Sequence, residues 1–297
     1  MTDWSELEHL PRDVIARRTA RSVYAVRSDL AAAFEAAGYD ADSAVELPRS
    51  DLAGRTALGE LFVGAERFVV RRFTHGGLLR WLTGRRYLDP LRPFRELILA
   101  RRLAESGIRV PEVVAARARR RSGAWELELV SRRLEDSLDL GTLLVRGARG
   151  TVSSRLESNC AHSFGELARR LHELGFLHAD LTPRNVLVEC RTLEHASPAL
   201  WIVDLDGSRF VRDLGAERRA ENLARLWRHV ARMRREGLVP RAARLAANFL
   251  SSYEPRRAER HALAAKIVEL QRRSSGWHVA ADVLERGVGA RRSQPRP

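Results

Sequence analysis

Eight residues, "HADLTPRN" (178–185), follow an apolar helical pattern and bring together a histidine, an acid, a proline, an arginine and an amide. Gly175 stops the helical pattern, "FLH" and "NVLVE" read as short strands around the loop, and "LWIVDLD" (200–206) reads as an apolar strand ending in two acids. Strand, polar loop, strand and then a strand ending in Asp204 brings oxygen-bearing side chains from separate segments toward one place. A nucleophilic hydroxyl needs a carboxylate to accept its proton, and a hard divalent cation needs oxygen ligands. The spacing therefore points to phosphoryl transfer, with Asp180 as base and Asn185 and Asp204 as metal ligands. Asp206 is placed either to reach a second metal or to structure the turn.

Charge bounds the partners. The 297 residues hold 52 basic and 38 acidic side chains, a formal net charge of +14, which favours anionic partners. Lys266 is the only lysine, so the basicity is almost all arginine. The arginines are dispersed without interleaved aromatics, which argues against a nucleic-acid surface. Cys160 and Cys190 are too few for a disulfide framework and read as free thiols of a reducing compartment, the cytoplasm. No stretch approaches the roughly 18 apolar residues of a membrane span, and "MTDWSELEHLPRDVIARR" lacks a signal core.

Along the chain, residues 1–37 read as a helical N-terminal extension, with Leu30, Ala33, Phe34 and Ala37 at helical spacing before Gly38. Residues 38–134 read as a small sheet, with strands in 59–73, 111–120 and 124–130 and one helix, 92–107, ended by Gly107. Residues 135–287 are mostly helical, including a helix over 163–175, and 288–297 read as a disordered tail.

With those residues placed, the chain resembles the protein-kinase-like superfamily, whose His, any residue, Asp, then Asn five later is matched by His178, Asp180 and Asn185. "VDLD" (203–206) stands where that superfamily has Asp-Phe-Gly, with Asp206 in place of the glycine. The resemblance implies an α+β, two-lobed protein-kinase-like fold, a β-rich N-lobe with one key helix and a larger helical C-lobe. It implies ATP and Mg²⁺ as cofactors. It also asks for a basic strand residue gripping the nucleotide phosphates, held by a glutamate of the next helix, and Arg71 and Glu96 fill those places. "FVVRRF" alternates faces, so only one of Arg71 and Arg72 turns toward the nucleotide, and Arg71 is favoured. Arginine here departs from the lysine of general kinases. The glycine loop falls at about 53–59, where Gly54, Gly59 and Gly64 lack the G-x-G-x-x-G spacing and equally suit hairpin turns. Arg184 either stabilises charge on the transferring group or faces solvent. His178 reads as a structural residue behind the loop. Ala179, where regulated kinases carry arginine, removes the anchor for a phosphorylated activation loop.

Within the superfamily, "VVRRFTHGGLLRWLTGRRYL", "RPFRELILARRLAESGIRVPEVVAAR", "GFLHADLTPRNVLVE" and "WIVDLDGSRF" run in the order of the lipopolysaccharide kinases that phosphorylate Kdo or heptose sugars, and are most similar to those acting on 3-deoxy-D-manno-octulosonic acid (Kdo). That similarity covers residues 50–212. It implies phosphorylation of a sugar hydroxyl on Kdo–lipid A by a peripheral enzyme at the cytoplasmic face of the inner membrane, with an anionic membrane surface as partner. No nucleic-acid or protein partner is readable. Leu78, Leu79, Trp81 and Leu82 beside Arg80, Arg85 and Arg86 suit either an interfacial membrane segment or a small-lobe core. "RARRR" (117–121) suits either a phosphate site or a charged hairpin. The alternatives are a heptose or other small-molecule kinase, and a non-catalytic pseudokinase scaffold suggested by the missing lysine and ragged glycine loop.

Overall fold

Short runs rich in β-branched and aromatic residues pair into one antiparallel sheet in the N-terminal part of the chain. The computed structural model describes residues 3–43, 47–48, 50, 58–74 and 87–273, and the chain divides into two compact units, Met1–Glu135 and Asp136–Pro297. In the first unit six strands, β1 (Val14–Arg18), β2 (Ser22–Arg27), β3 (Gly59–Val63), β4 (Glu66–Arg72), β5 (Val113–Arg121) and β6 (Ala124–Arg132), lie in the order β1-β2-β5-β6-β4-β3. Every neighbouring pair is antiparallel.

Both faces of this sheet are covered. One packs against α2 (Arg92–Glu105), where Phe94 and Leu97 meet Val23, Ala25, Phe73, Ala116, Leu127 and Leu129. The other lies under α1 (Ala31–Ala36) and Tyr39, where Phe34 and Tyr39 meet Tyr24, Val26, Phe68, Val70, Val114 and Val130. A bulge at Val113–Ala115 places Val114 and Ala115 on the same face. Pro93 opens α2, and Gly107, with φ of 76°, lies just past its end.

Residues 1–37 are not a helical extension. β1 and β2 form one side of the sheet, and helix is confined to α1 and a 3₁₀ turn at Ser5–His9. The reason is physical: with both faces covered, Val23, Tyr24, Ala25 and Val26 are all buried, so "SVYAVR" shows none of the alternation that marks a half-exposed strand. "RARRR" forms an arm of the β5–β6 hairpin, where Arg117 pairs with Glu128, and Arg119 and Arg121 with Glu126. Residues 53–57 of the expected glycine loop, the apolar-basic segment up to Arg86, and the expected tail lie outside the described residues. Gly64, with φ of 59°, turns the β3–β4 hairpin.

The second unit begins with β7 (Ser137–Asp139) and α3 (Leu140–Ala148), whose N-cap Asp139 accepts from the Thr142 N–H at 2.9 Å. Next comes α4 (Ser154–Glu173), which starts at Ser154 rather than Ser163. Its first turns are polar on the surface, but Ser153 caps them and the buried Glu157 is held by Arg241 at 2.8 Å. Short strands β8 (Phe176–Leu177), β9 (Val186–Glu189), β10 (Leu200–Ile202) and β11 (Arg209–Phe210) follow, then α5 (Ala216–Arg235), α6 (Ala242–Tyr253) and α7 (Arg257–Arg273). The strands make a sheet β10-β9-β7 and a pair β11-β8. Cys160 is buried and Cys190 exposed, and both are free thiols.

Candidate active site

The polar loop is closed at both ends by strand pairing. Ile202 of β10 pairs with Val186 of β9, and one step further the Val203 N–H donates to the Asn185 carbonyl at 3.0 Å. That ladder sets Asn185 beside the segment that carries Asp204. The Asn185 side-chain amide in turn donates to the Asp180 carbonyl at 2.8 Å and to its carboxylate at 3.0 Å. With the nitrogen so engaged, the planar amide turns its oxygen away from Asp180. Asp180, Asn185 and Asp204 are each partly exposed, as groups meeting a ligand must be.

Asp204 has φ of 61°, a left-handed conformation that aspartate tolerates better than most residues but that still costs about 1 kcal/mol or more. Such a cost is retained where the surroundings hold it in place. Leu205 is buried, Gly207 has φ of 72°, and Ser208 Oγ accepts from the Ala179 N–H at 3.0 Å. β11 then pairs with β8, so the acidic segment is folded back on the loop.

The loop backbone is pinned from behind. His178 Nδ1 accepts from the Asp180 N–H at 3.1 Å, which puts the ring proton on Nε2, where it donates to the Val203 carbonyl at 3.1 Å. Burial holds this histidine below its usual pKa, in keeping with a neutral ring. Two residues of α5 complete the hold: Asn222 Nδ2 donates to the His178 carbonyl at 2.9 Å, and Arg225 donates to the Ala179 carbonyl. Asn222 Oδ1 accepts from His172 Nε2 at 3.1 Å, and His172 Nδ1 accepts from the Tyr253 hydroxyl at 2.7 Å. Sequence reasoning did not find His172, Asn222, Arg225 or Tyr253. The available signal was a polar residue on an apolar stripe, Asn222 among the buried Ala220, Leu223, Ala224, Leu226 and Trp227.

This chain carries a pH prediction. Burial first, and the nearby Arg219 second, lower the His172 pKa from 6.5 to about 4. A depressed histidine contributes stability that is complete above its unfolded value and lost as pH falls through the folded one. Stability of the C-terminal unit should therefore fall between pH 6.5 and 4 by a few kcal/mol. Urea unfolding followed across that window should show the slope, and His172→Gln should flatten it.

In the N-terminal unit, Arg71 and Phe73 share the α2 face, and Arg71 pairs there with the buried Glu96 and lies over the Phe73 ring at 4.4 Å. Arg72 points to the opposite face and bonds Glu128 at 2.9 Å. In the C-terminal unit, Arg184 is exposed, and its stem packs so closely on α3 that a Cβ on Gly141 would lie 3.0 Å from its Cγ.

The residue types at the loop and at the end of β10 suit a hard cation. Asn185 carries an amide oxygen, and Asp204 and Asp206 carry carboxylates, while no group of three or more His, Cys, Asp or Glu gathers into a metal cluster among the described residues. An oxygen donor set supplied by one or two carboxylates is what Mg²⁺ accepts when substrate phosphates and water supply its other ligands.

The family model described as lipopolysaccharide kinase (Kdo/WaaP) matches residues 56–253. Among curated proteins, the chain is similar to 3-deoxy-D-manno-octulosonic acid kinases from Photobacterium profundum (29% identical over 54% of this chain and 63% of the relative) and Actinobacillus succinogenes (31%, 54% and 63%). A third, from Mannheimia succiniciproducens, is 30% identical over 56% of this chain and 68% of its own length. The matched part thus spans somewhat under two thirds of the first two relatives. Among solved structures, WaaP in complex with acyl carrier protein superposes with a TM-score of 0.53 at 17% identity, covering 82% of this chain and 92% of that one.

Proposed function

The chain belongs to the lipopolysaccharide kinase (Kdo/WaaP) family and has a protein-kinase-like fold; from that premise we propose that it transfers the γ-phosphoryl group of ATP to a sugar hydroxyl of a lipopolysaccharide precursor, the Kdo of Kdo–lipid A. The observation that carries this reading is the clasp between Asn185 and Asp180. It orients the carboxylate and leaves an amide oxygen for a cation with the same side chain.

Asp180 accepts the proton of the attacking hydroxyl. The Asn185 oxygen and the Asp204 carboxylate would hold Mg²⁺, and the left-handed Asp204 backbone fixes the chain that carries that carboxylate. The ion bound there with ATP would supply neutralisation of charge on the transferring phosphoryl oxygens. Arg71, braced by Glu96, grips the α- and β-phosphates. Arginine keeps the charge of the usual lysine and adds a planar fork that pairs with carboxylate and phosphate together. Arg184, exposed at the loop, contacts the transferring group. His178, Asn222 and Arg225 hold the loop backbone, so the base needs little reorganisation during reaction. No helix among the described residues is long and apolar enough to cross a membrane. The proposed location is peripheral, at the cytoplasmic face of the inner membrane.

Incubating the protein with labelled ATP and a panel of Kdo–lipid A, heptose-containing core, lipid-free sugars and protein acceptors tests the reading. Label is expected in Kdo–lipid A. Label confined to heptose or to protein would move the acceptor elsewhere, and none in any acceptor, together with no thermal shift on adding Mg-ATP, would favour a scaffold.

A further inference from the structure

Helix α5 buries one face in the C-terminal unit and lines the other with arginine. Arg218, Arg225 and Arg232 are exposed and Arg228 partly so, and at about 100° per residue the four fall within a ~80° arc along ~21 Å of helix. Glu221 is the acid on that arc. Among the described residues none of the four arginines has an acidic partner, as is also true of Arg12, Arg21 and Arg120, which are scattered over the N-terminal unit and not aligned on one helix face.

Helix stability does not explain the stripe. Arg225, Arg228 and Arg232 sit three and four residues apart, where like charges repel, and Arg218 lies in the first turn, at the positive end of the helix dipole. The array is linear and carried on the outer face of a helix, so it meets a flat field of anions better than one phosphate in a pocket. Guanidinium groups pair with phosphate through two parallel hydrogen bonds. Arg225 also bonds the carbonyl of Ala179, next to Asp180, which ties the stripe to the loop.

We propose that the arginine face of α5 docks on an anionic phospholipid surface and thereby sets the Asp180 loop at the membrane. Docking itself is read without any reaction; it rests on the proposed function only for what the docked loop acts on. Each arginine near such a surface contributes about 1 kcal/mol, or roughly fivefold in partitioning.

Sedimentation with phosphatidylglycerol-rich vesicles, without nucleotide, is the test. The protein should bind these and not phosphatidylcholine vesicles, with affinity falling as salt rises. Combining Arg218→Gln, Arg228→Gln and Arg232→Gln should lower partitioning by about 100-fold. The matched triple Arg12→Gln, Arg21→Gln and Arg120→Gln, which removes the same charge from exposed sites of the N-terminal unit, should lower it far less. Lysine at the three α5 positions should keep most of the binding, which separates loss of charge from loss of fold. Equal losses in the two glutamine triples would overturn the proposal in favour of non-specific attraction. Failure of the parent protein to bind anionic vesicles at low salt would overturn it too, leaving the stripe to an acidic macromolecule. Transfer to detergent-dispersed Kdo–lipid A without phospholipid, measured alongside, reads the proposed reaction separately: its absence counts against the reaction and leaves the docking result standing.

Discussion

Replacing Asp180 with asparagine is expected to lower turnover by about 10³-fold while ATP affinity stays within a few fold, since a positioned base contributes roughly 10²–10⁴ in rate. The substitution is a sharp one because it keeps shape. The Asn185 amide bonds the Asp180 carbonyl and one side-chain oxygen, and an asparagine at 180 still offers both acceptors. What disappears is the basicity of the carboxylate. A loss of that size corresponds to about 4 kcal/mol of barrier. The measurement is single-turnover transfer to Kdo–lipid A with nucleotide affinity read separately. Turnover within tenfold of the parent protein would remove Asp180 from the role of base and leave it as a loop residue.

A second large effect is expected at Gly165, and it concerns stability. α4 and α6 cross so tightly that a Cβ there would lie 2.1 Å from Ser252 Oγ and 2.2 Å from the Phe249 carbonyl oxygen. The serine can rotate, but the carbonyl belongs to helix backbone and can move only with α6. Alanine gains about 1 kcal/mol over glycine in helix propensity. Forcing two packed helices apart costs more, typically up to about 3 kcal/mol and at times beyond. Gly165→Ala should therefore lower the melting midpoint of the C-terminal unit by about 5 °C or more, in the range expected for a net loss near 2 kcal/mol. The shift also reaches the site. Phe164 and Phe249 pack edge to face at 5.3 Å across this crossing, and Tyr253 of α6 bonds His172, which bonds Asn222 and through it the His178 carbonyl. Turnover in the surviving folded fraction should fall with the midpoint. An unchanged or raised midpoint would mean that α6 can shift at no cost.

Much of the site was legible in local order. The interval from Asp180 to Asn185, the apolar strands that bracket it and the acid at the end of "LWIVD" are short-range features, and short-range hydrogen bonds build them: the 3₁₀ turn at Pro183–Asn185, the β9–β10 ladder and the Asn185 clasp. The strands around "ELFVGAERFVVRR" and the helix at Arg92–Glu105 were legible for the same reason, since a glycine turn and an apolar stripe announce themselves within a dozen residues. Within the first 37 residues the helix at Ala31–Ala36 before Gly38 was legible in the same way, but β2 was not, because a strand buried on both faces has no alternation to read.

What the amino-acid order alone determined was a set of chemical groups and the local elements that carry them: an acid, an amide and a second acid on loops between strands, and two adjacent arginines on a strand that could send only one to each face. Tertiary structure decided the rest. It chose Arg71 for Glu96 by laying α2 on one face of the sheet, and Arg72 for Glu128 by pairing β4 with β6 in the register that sets the two opposite each other. It also brought Asn222, Arg225 and, through His172, Tyr253 behind a loop that lies 44, 46 and some 75 positions earlier. A hydrogen bond between distant segments leaves no periodicity in either one, so only packing, which buries both ends together, reveals it.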